Sequence, residues 1–169
     1  MSNVLIGIIG VILFIGLALA GALFLGPRFQ QATNSSRASA MVQGVGQIAQ
    51  ALNLRMIQSG EYIGDNQRQI MPDDVLVAEG YLKAVPTNPY AGQPIMLFYD
   101  PTGADPASVV GNRSYFVEMF MSADDQAADV CAAVQKQTSG STTIPTLRPM
   151  ARTGCFKDPN GQYRVYARV

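Results

Sequence analysis

VLIGIIGVILFIGLALAGALFLG, residues 4–26, decides how the chain is read, because no charged side chain interrupts it. At roughly 1.5 Å per residue a helix over this run is about 35 Å long. That is enough to cross a hydrocarbon core of about 30 Å. The first charge in the chain is Arg28, immediately after Pro27. Small residues recur inside the run at a spacing of four, Gly16 to Ala20 and Ala18 to Ala22, with further glycines at 7, 10, 21 and 26. Such small-xxx-small pairs allow close helix–helix contact without a hydrophobic driving force.

Working outward, residues 28–60 carry a different pattern. Ala38, Met41, Val45, Ile48, Leu52 and Met56 follow steps of three and four, and so fall on one face of a helix. Gln30, Ser36, Gln43, Gln47, Gln50 and Arg55 fall largely elsewhere. Met41, Val45, Ile48, Leu52 and Met56 are expected to pack the helix on a globular head. Gly44 and Gly46 cost helix propensity but thin the helix for a close neighbour. Pro27 predicts a kink or local break, and Ser59-Gly60 a helix end.

The remaining residues, 61–169, suffice for one modest core. MPDDVLVAEGYL begins with start signals and ends in a stop signal, and predicts a short helix. IMLFYD at 95–100 and SYFVEMFM at 114–121 read as strands. Ser122 is expected to cap a helix running to Lys136, with Asp124 and Asp125 in its first turn. Residues 141–150 suggest a short edge strand. After the Asp158-Pro-Asn-Gly turn, QYRVYARV closes the chain as an alternating strand, with Tyr163, Val165 and Ala167 on one side and Arg164, Tyr166 and Arg168 on the other. The expected fold is α+β: a long helix, apolar then amphipathic, packed on a small antiparallel sheet. Its divisions are an apolar segment (1–27), the amphipathic half of the helix (28–60) and a head (61–169).

Composition excludes several classes. The 169 residues carry 12 basic and 12 acidic side chains, a formal charge of zero, so no nucleic-acid partner is expected. There is no His, which removes the commonest general base and metal ligand. No nucleophile motif is present, and no enzyme activity, cofactor or metal is expected. The paired carboxylates Asp73-Asp74 and Asp124-Asp125 sit where first turns of helices favour negative charge. The oxygens of DPTGAD, 100–105, lack the alternating acidic spacing of a calcium loop. Asn34 and Asn112 open N-x-Ser tripeptides, which arise often by chance. The only cysteines, Cys131 and Cys155, predict one disulfide if the chain is exported, the alternative being two buried thiols. Closing a loop of about 25 residues is worth roughly 3 to 4 kcal/mol in the chain-entropy picture.

The positive charges that follow the apolar run would place its C-terminal side in the cytoplasm, which conflicts with a disulfide. A basic leader that once preceded Met1 and has been removed would resolve the conflict.

Together these stretches resemble the type IV pilins, and among them the type IVb group. RFQQATNSSRASAMVQGVGQIAQALNLRMIQSGEY is similar to the second half of a pilin helix and its exit, with Pro27 where many pilins kink. TNPYAGQPI resembles the loop that precedes the sheet in that group. SYFVEMFMSADDQAADVCAAV and GCFKDPNGQYRVYARV resemble its strand, Cys-bearing helix, second Cys and last strand. The resemblance implies that Cys131 and Cys155 bound a C-terminal disulfide region. It implies an extracellular filament subunit that polymerises through its N-terminal helix. Ile8, Ile12, Ile15, Gly16, Leu19, Ala20, Leu23 and Pro27 are the residues expected to carry assembly. The implied partners are copies of itself, a pilus assembly machinery and, before assembly, the inner membrane. One departure stands out. The family keeps a glutamate near the start of its mature helix, whereas no acidic residue precedes Glu61 here; Leu5 or Gly10 takes its place. That departure fits a minor or tip pilin, or a pseudopilin of a type II secretion system. From a different class, a single-span anchored ligand-binding domain would need its first helix only to be apolar.

Overall fold

The structure is a computed structural model, and it describes residues 2–60, 69–100, 114–149 and 151–169. Helix α1 runs from Ser2 to Ser59 with no interruption at Pro27, where a break was expected. It ends as Gly60 N–H bonds to Met56 O at 3.1 Å. Two compact units divide the chain, Met1–Asn34 and Ser35–Val169. The first is helix alone. The second, the head, contains the last turns of α1 and everything after it.

The head is α+β. Strands β1 (Gln69–Ile70), β2 (Ile95–Asp100), β3 (Ser114–Phe120), β4 (Thr153–Lys157) and β5 (Tyr163–Arg168) form one sheet in the order β1-β2-β3-β5-β4. Every pairing is antiparallel. Helix α2 (Asp125–Ser139) lies between β3 and β4 in sequence. Alternation along the strands sorts the side chains into two faces. Leu97, Val117 and Ala167 stand side by side in register, as do Ile95, Met119 and Val165, and Cys155 follows Val165 on β4. This face, with Met41, Val45, Ile48 and Leu52 of α1 and Val130, Cys131 and Val134 of α2, makes the apolar core. Met56 packs at its margin, half-buried. Gly44 is buried where α1 meets the sheet. A Cβ there would come within 2.9 Å of Met119 Cε and 3.5 Å of Pro86 Cβ, so the missing side chain is what allows this approach. Gly46 faces open space, and the thinning expected of it has no counterpart within the head.

Several local expectations are corrected. The segment beginning at Pro72 forms the expected short helix at Asp73–Val77, but wound wide, so that Ala78 N–H reaches back five residues to Asp73 O at 3.2 Å. Asp124, not Ser122, caps α2: its carboxylate accepts from Ala127 N–H at 2.7 Å, while Ser122 Oγ donates to the other carboxylate oxygen at 2.7 Å. The aspartate wins because its charge meets the partial positive helix end. Helix α2 runs on past Lys136 to Ser139 and closes at Gly140. Residues 141–149 contain no strand. Residues 139–143 are exposed, and two short hydroxyl bonds, Ser141 N–H to Ser139 Oγ (3.4 Å) and Thr143 N–H to Ser141 Oγ (3.1 Å), shape their backbone. From Ile144 onward the chain covers the second face of the sheet. Pro145 O accepts from Lys157 N–H at 2.9 Å and Pro149 O from the Tyr166 hydroxyl at 3.2 Å. The strand on that side is β4, which the sequence reading missed.

Cys131 and Cys155 are joined as a disulfide that ties α2 to β4, both residues fully buried. The DPTGAD stretch lies almost wholly, and Asn112 entirely, outside the described residues.

Candidate assembly surface

In the first unit, large apolar side chains are exposed all round the helix. Ile8, Ile12, Ile15 and Leu19 are each more than half exposed, and Phe14 and Leu17 reach 75% and 76%. Gly16 and Ala20 lie between them, also open, and a Cβ at Gly16 would meet nothing within 4 Å. The side chains of Leu23 and Pro27 lie outside the described residues. Among the described residues no helix is long and apolar enough to cross a membrane. Their part of the run, Ile6–Ala22, amounts to about 26 Å of helix at roughly 1.5 Å per residue, short of a hydrocarbon core of about 30 Å. So much apolar surface is far more than a solvated monomer usually exposes, and such a surface calls for a cover.

In the head, the outward stripe of α1 is uncharged. Ser36, Ala40, Gln43, Gln47, Gln50 and Leu54 recur at helical spacing and are exposed, with Ile57 73% exposed beside them. Both arginines of this segment turn toward the head. The Arg37 guanidinium lies 5.7 Å from the centre of the Tyr90 ring. Arg55 grips Glu79 with two bonds, Nε to Oε2 at 2.6 Å and an amino group to Oε1 at 2.9 Å. The hydrogen bond from Arg55 holds the Glu79 carboxyl below its ordinary range.

The second face of the sheet is buried at β3 and β4 and partly exposed at β2. Glu118 on β3 has no solvent exposure, and Arg148 from the covering segment and Arg164 on β5 pair with its two oxygens. Arg164 also pairs with Asp158, whose backbone and carboxylate shape the turn between β4 and β5. Aromatic rings fill the space between these charges. Arg148 stacks 4.0 Å over Phe116, and Arg164 lies 4.2 Å over Phe120. Burial pushes the Tyr166 hydroxyl up to about 12, against the opposing pull of Arg168 and Arg148. This network holds the fold. Its charges are spent on one another, and it leaves no open acid–base pair for chemistry. Among the described residues no group of His, Cys, Asp and Glu could hold a metal.

The sequence pointed to α1, and the structure places its residues in two settings: Ile8, Ile12, Ile15, Gly16, Leu19 and Ala20 open, Met41, Val45, Ile48 and Leu52 closed. It did not point to Glu118, Arg148, Asp158 and Arg164. The one available signal was a lone acidic residue inside the apolar strand SYFVEMF. No family model, curated protein or solved structure matches this chain.

Proposed function

We propose that this protein is a structural subunit of an extracellular type IVb-like pilus filament, polymerising through its N-terminal helix. The observation that carries the reading is the helix over Ile6–Ala22, whose described side chains are all apolar and nearly all exposed, with glycine and alanine at close-contact spacing. Before assembly the inner membrane covers this surface; in the fibre, helices of other copies do. Lipid is as apolar as leucine, so the exchange is driven by close packing and geometry, not by further removal from water. The uncharged outward stripe of α1 in the head supports the same reading, because packing it against a neighbour buries no charge. Contacts of this kind join different patches on successive copies, and a rotation that does not close generates a helical fibre.

The absence of an acidic residue before Glu61 favours a second reading, a minor or tip pilin or a pseudopilin of a short secretion complex. Electron microscopy of material sheared from the cell surface, with mass spectrometry of the fibres, separates the two. Abundant fibres composed of this chain support the main subunit. Fibres containing a few copies support the minor subunit. A chain that stays in the membrane fraction and forms no fibres overturns the main-subunit reading and leaves a minor pilin, a pseudopilin or an anchored domain.

A further inference from the structure

We propose that Arg37, Tyr90 and the capped start of α2 form a collar that clamps α1 at its first turn inside the head. The head begins at Ser35, and among the described residues Ala38 is the first fully buried side chain of the helix. Between them Arg37 reaches across to Tyr90, with the guanidinium carbon 5.7 Å from the ring centre. Hydrogen bonds fix the backbone that carries this ring. Asn88 Nδ2 donates to Phe120 O at 2.9 Å and to Gln93 O at 3.1 Å, while its Oδ1 accepts from Tyr90 N–H at 3.0 Å. Gly92, at φ +77°, completes the turn that Gln93 N–H closes onto Tyr90 O at 3.1 Å. The Tyr90 hydroxyl in turn donates to Gln126 O, in the first turn of α2, at 3.4 Å. Just before it stands the capping Asp124, whose carboxyl is held low by the Ser122 hydroxyl, the Ala127 N–H and, last, the charge of Arg37. At its other end α2 touches the same stretch of α1, with Gln137 Nε2 donating to Ser39 Oγ at 3.2 Å.

One turn of α1 is therefore gripped from the loop before β2 and from the C-terminal end of α2, while the start of α2 holds the Tyr90 hydroxyl. The inference rests on the filament reading for its purpose: when the apolar half of the helix is drawn out of a membrane, the collar is the first part of the head to take the load. Its existence is tested without fibres. In the full chain in detergent micelles, amide hydrogen exchange of residues 35–45 is compared among Arg37→Gln, Tyr90→Ala and the double variant. Each single change should speed exchange there about threefold to fivefold, as loss of one part-exposed cation–π contact implies, with β3 and β5 amides unaltered. The double variant should be no faster than the faster single, since each residue acts through the other. Arg37→Lys should keep most of the protection. Unchanged exchange at 35–45, additive effects, or loss of protection spread evenly over the sheet would overturn the collar. Absence of fibres in the cell would not bear on it.

Discussion

Glu118 shows how far a single residue can organise this head. Its carboxylate, without solvent exposure, fixes Arg148 and Arg164, and through them the covering segment and the turn after β4. Replacing it by Gln removes the charge but leaves two guanidinium groups facing the site. Breaking a buried pair in this way costs about 3 to 5 kcal/mol, and urea unfolding of Glu118→Gln should show a loss of that order. Tyr166, on the same face, gives the head an alkaline limit. Its folded value of about 12 lies above the ordinary 10.0, so the folded state holds the proton more tightly. The stabilisation is complete below pH 10 and is lost as pH rises from 10 toward 12, on the order of 2 kcal/mol. A Tyr166→Phe variant should unfold with a flatter pH dependence in that window. Little of this was legible in the sequence, because strand register brings Arg164 to Glu118 while Arg148 and Asp158 reach them from a covering segment and a turn. Periodicity finds faces; it does not find which charges meet on them.

The elements themselves were easier to read. Strands β2 and β5 stand at the residues where alternation and turn residues put them, and α1 ends at Ser59 as its Ser-Gly stop required. Strand β4, TGCFK, escaped because a glycine and a cysteine dilute its alternation, and its identity depends on pairing with β5. The short helix at Asp73–Val77 starts where its Pro-Asp-Asp signals put it, and its wide winding was not legible. Two predictions belong at this scale. The disulfide fastens α2 to β4 across a sequence separation of 24, and its reduction should lower stability by roughly 3 kcal/mol, read as a lower denaturation midpoint under reducing conditions. On α1, Gly46→Ala should stabilise the head by up to about 1 kcal/mol, because alanine favours helix and its Cβ meets nothing. Gly44→Ala gains the same propensity but must displace the Met119 methyl, so its gain should be smaller or absent in thermal melts.

At the scale of the molecule, the two compact units have opposite characters. One consists of surface that needs a cover; the other has buried one face of its sheet and much of the second. The filament reading ties function to the first unit, and Gly16→Leu or Gly21→Leu should abolish fibres while the head still folds, seen as an unchanged disulfide and unchanged melting. An anchored domain that does not polymerise would tolerate both changes. The exposed residues 139–143 carry a practical consequence. They follow the end of α2 and precede the Pro145 bond to β4, so both their ends are fixed while their middle touches little. Loop length costs little in closure entropy. A guest peptide spliced between Ser141 and Thr142 would be displayed once per copy, making any polymer of this chain a scaffold that presents a foreign sequence at every repeat.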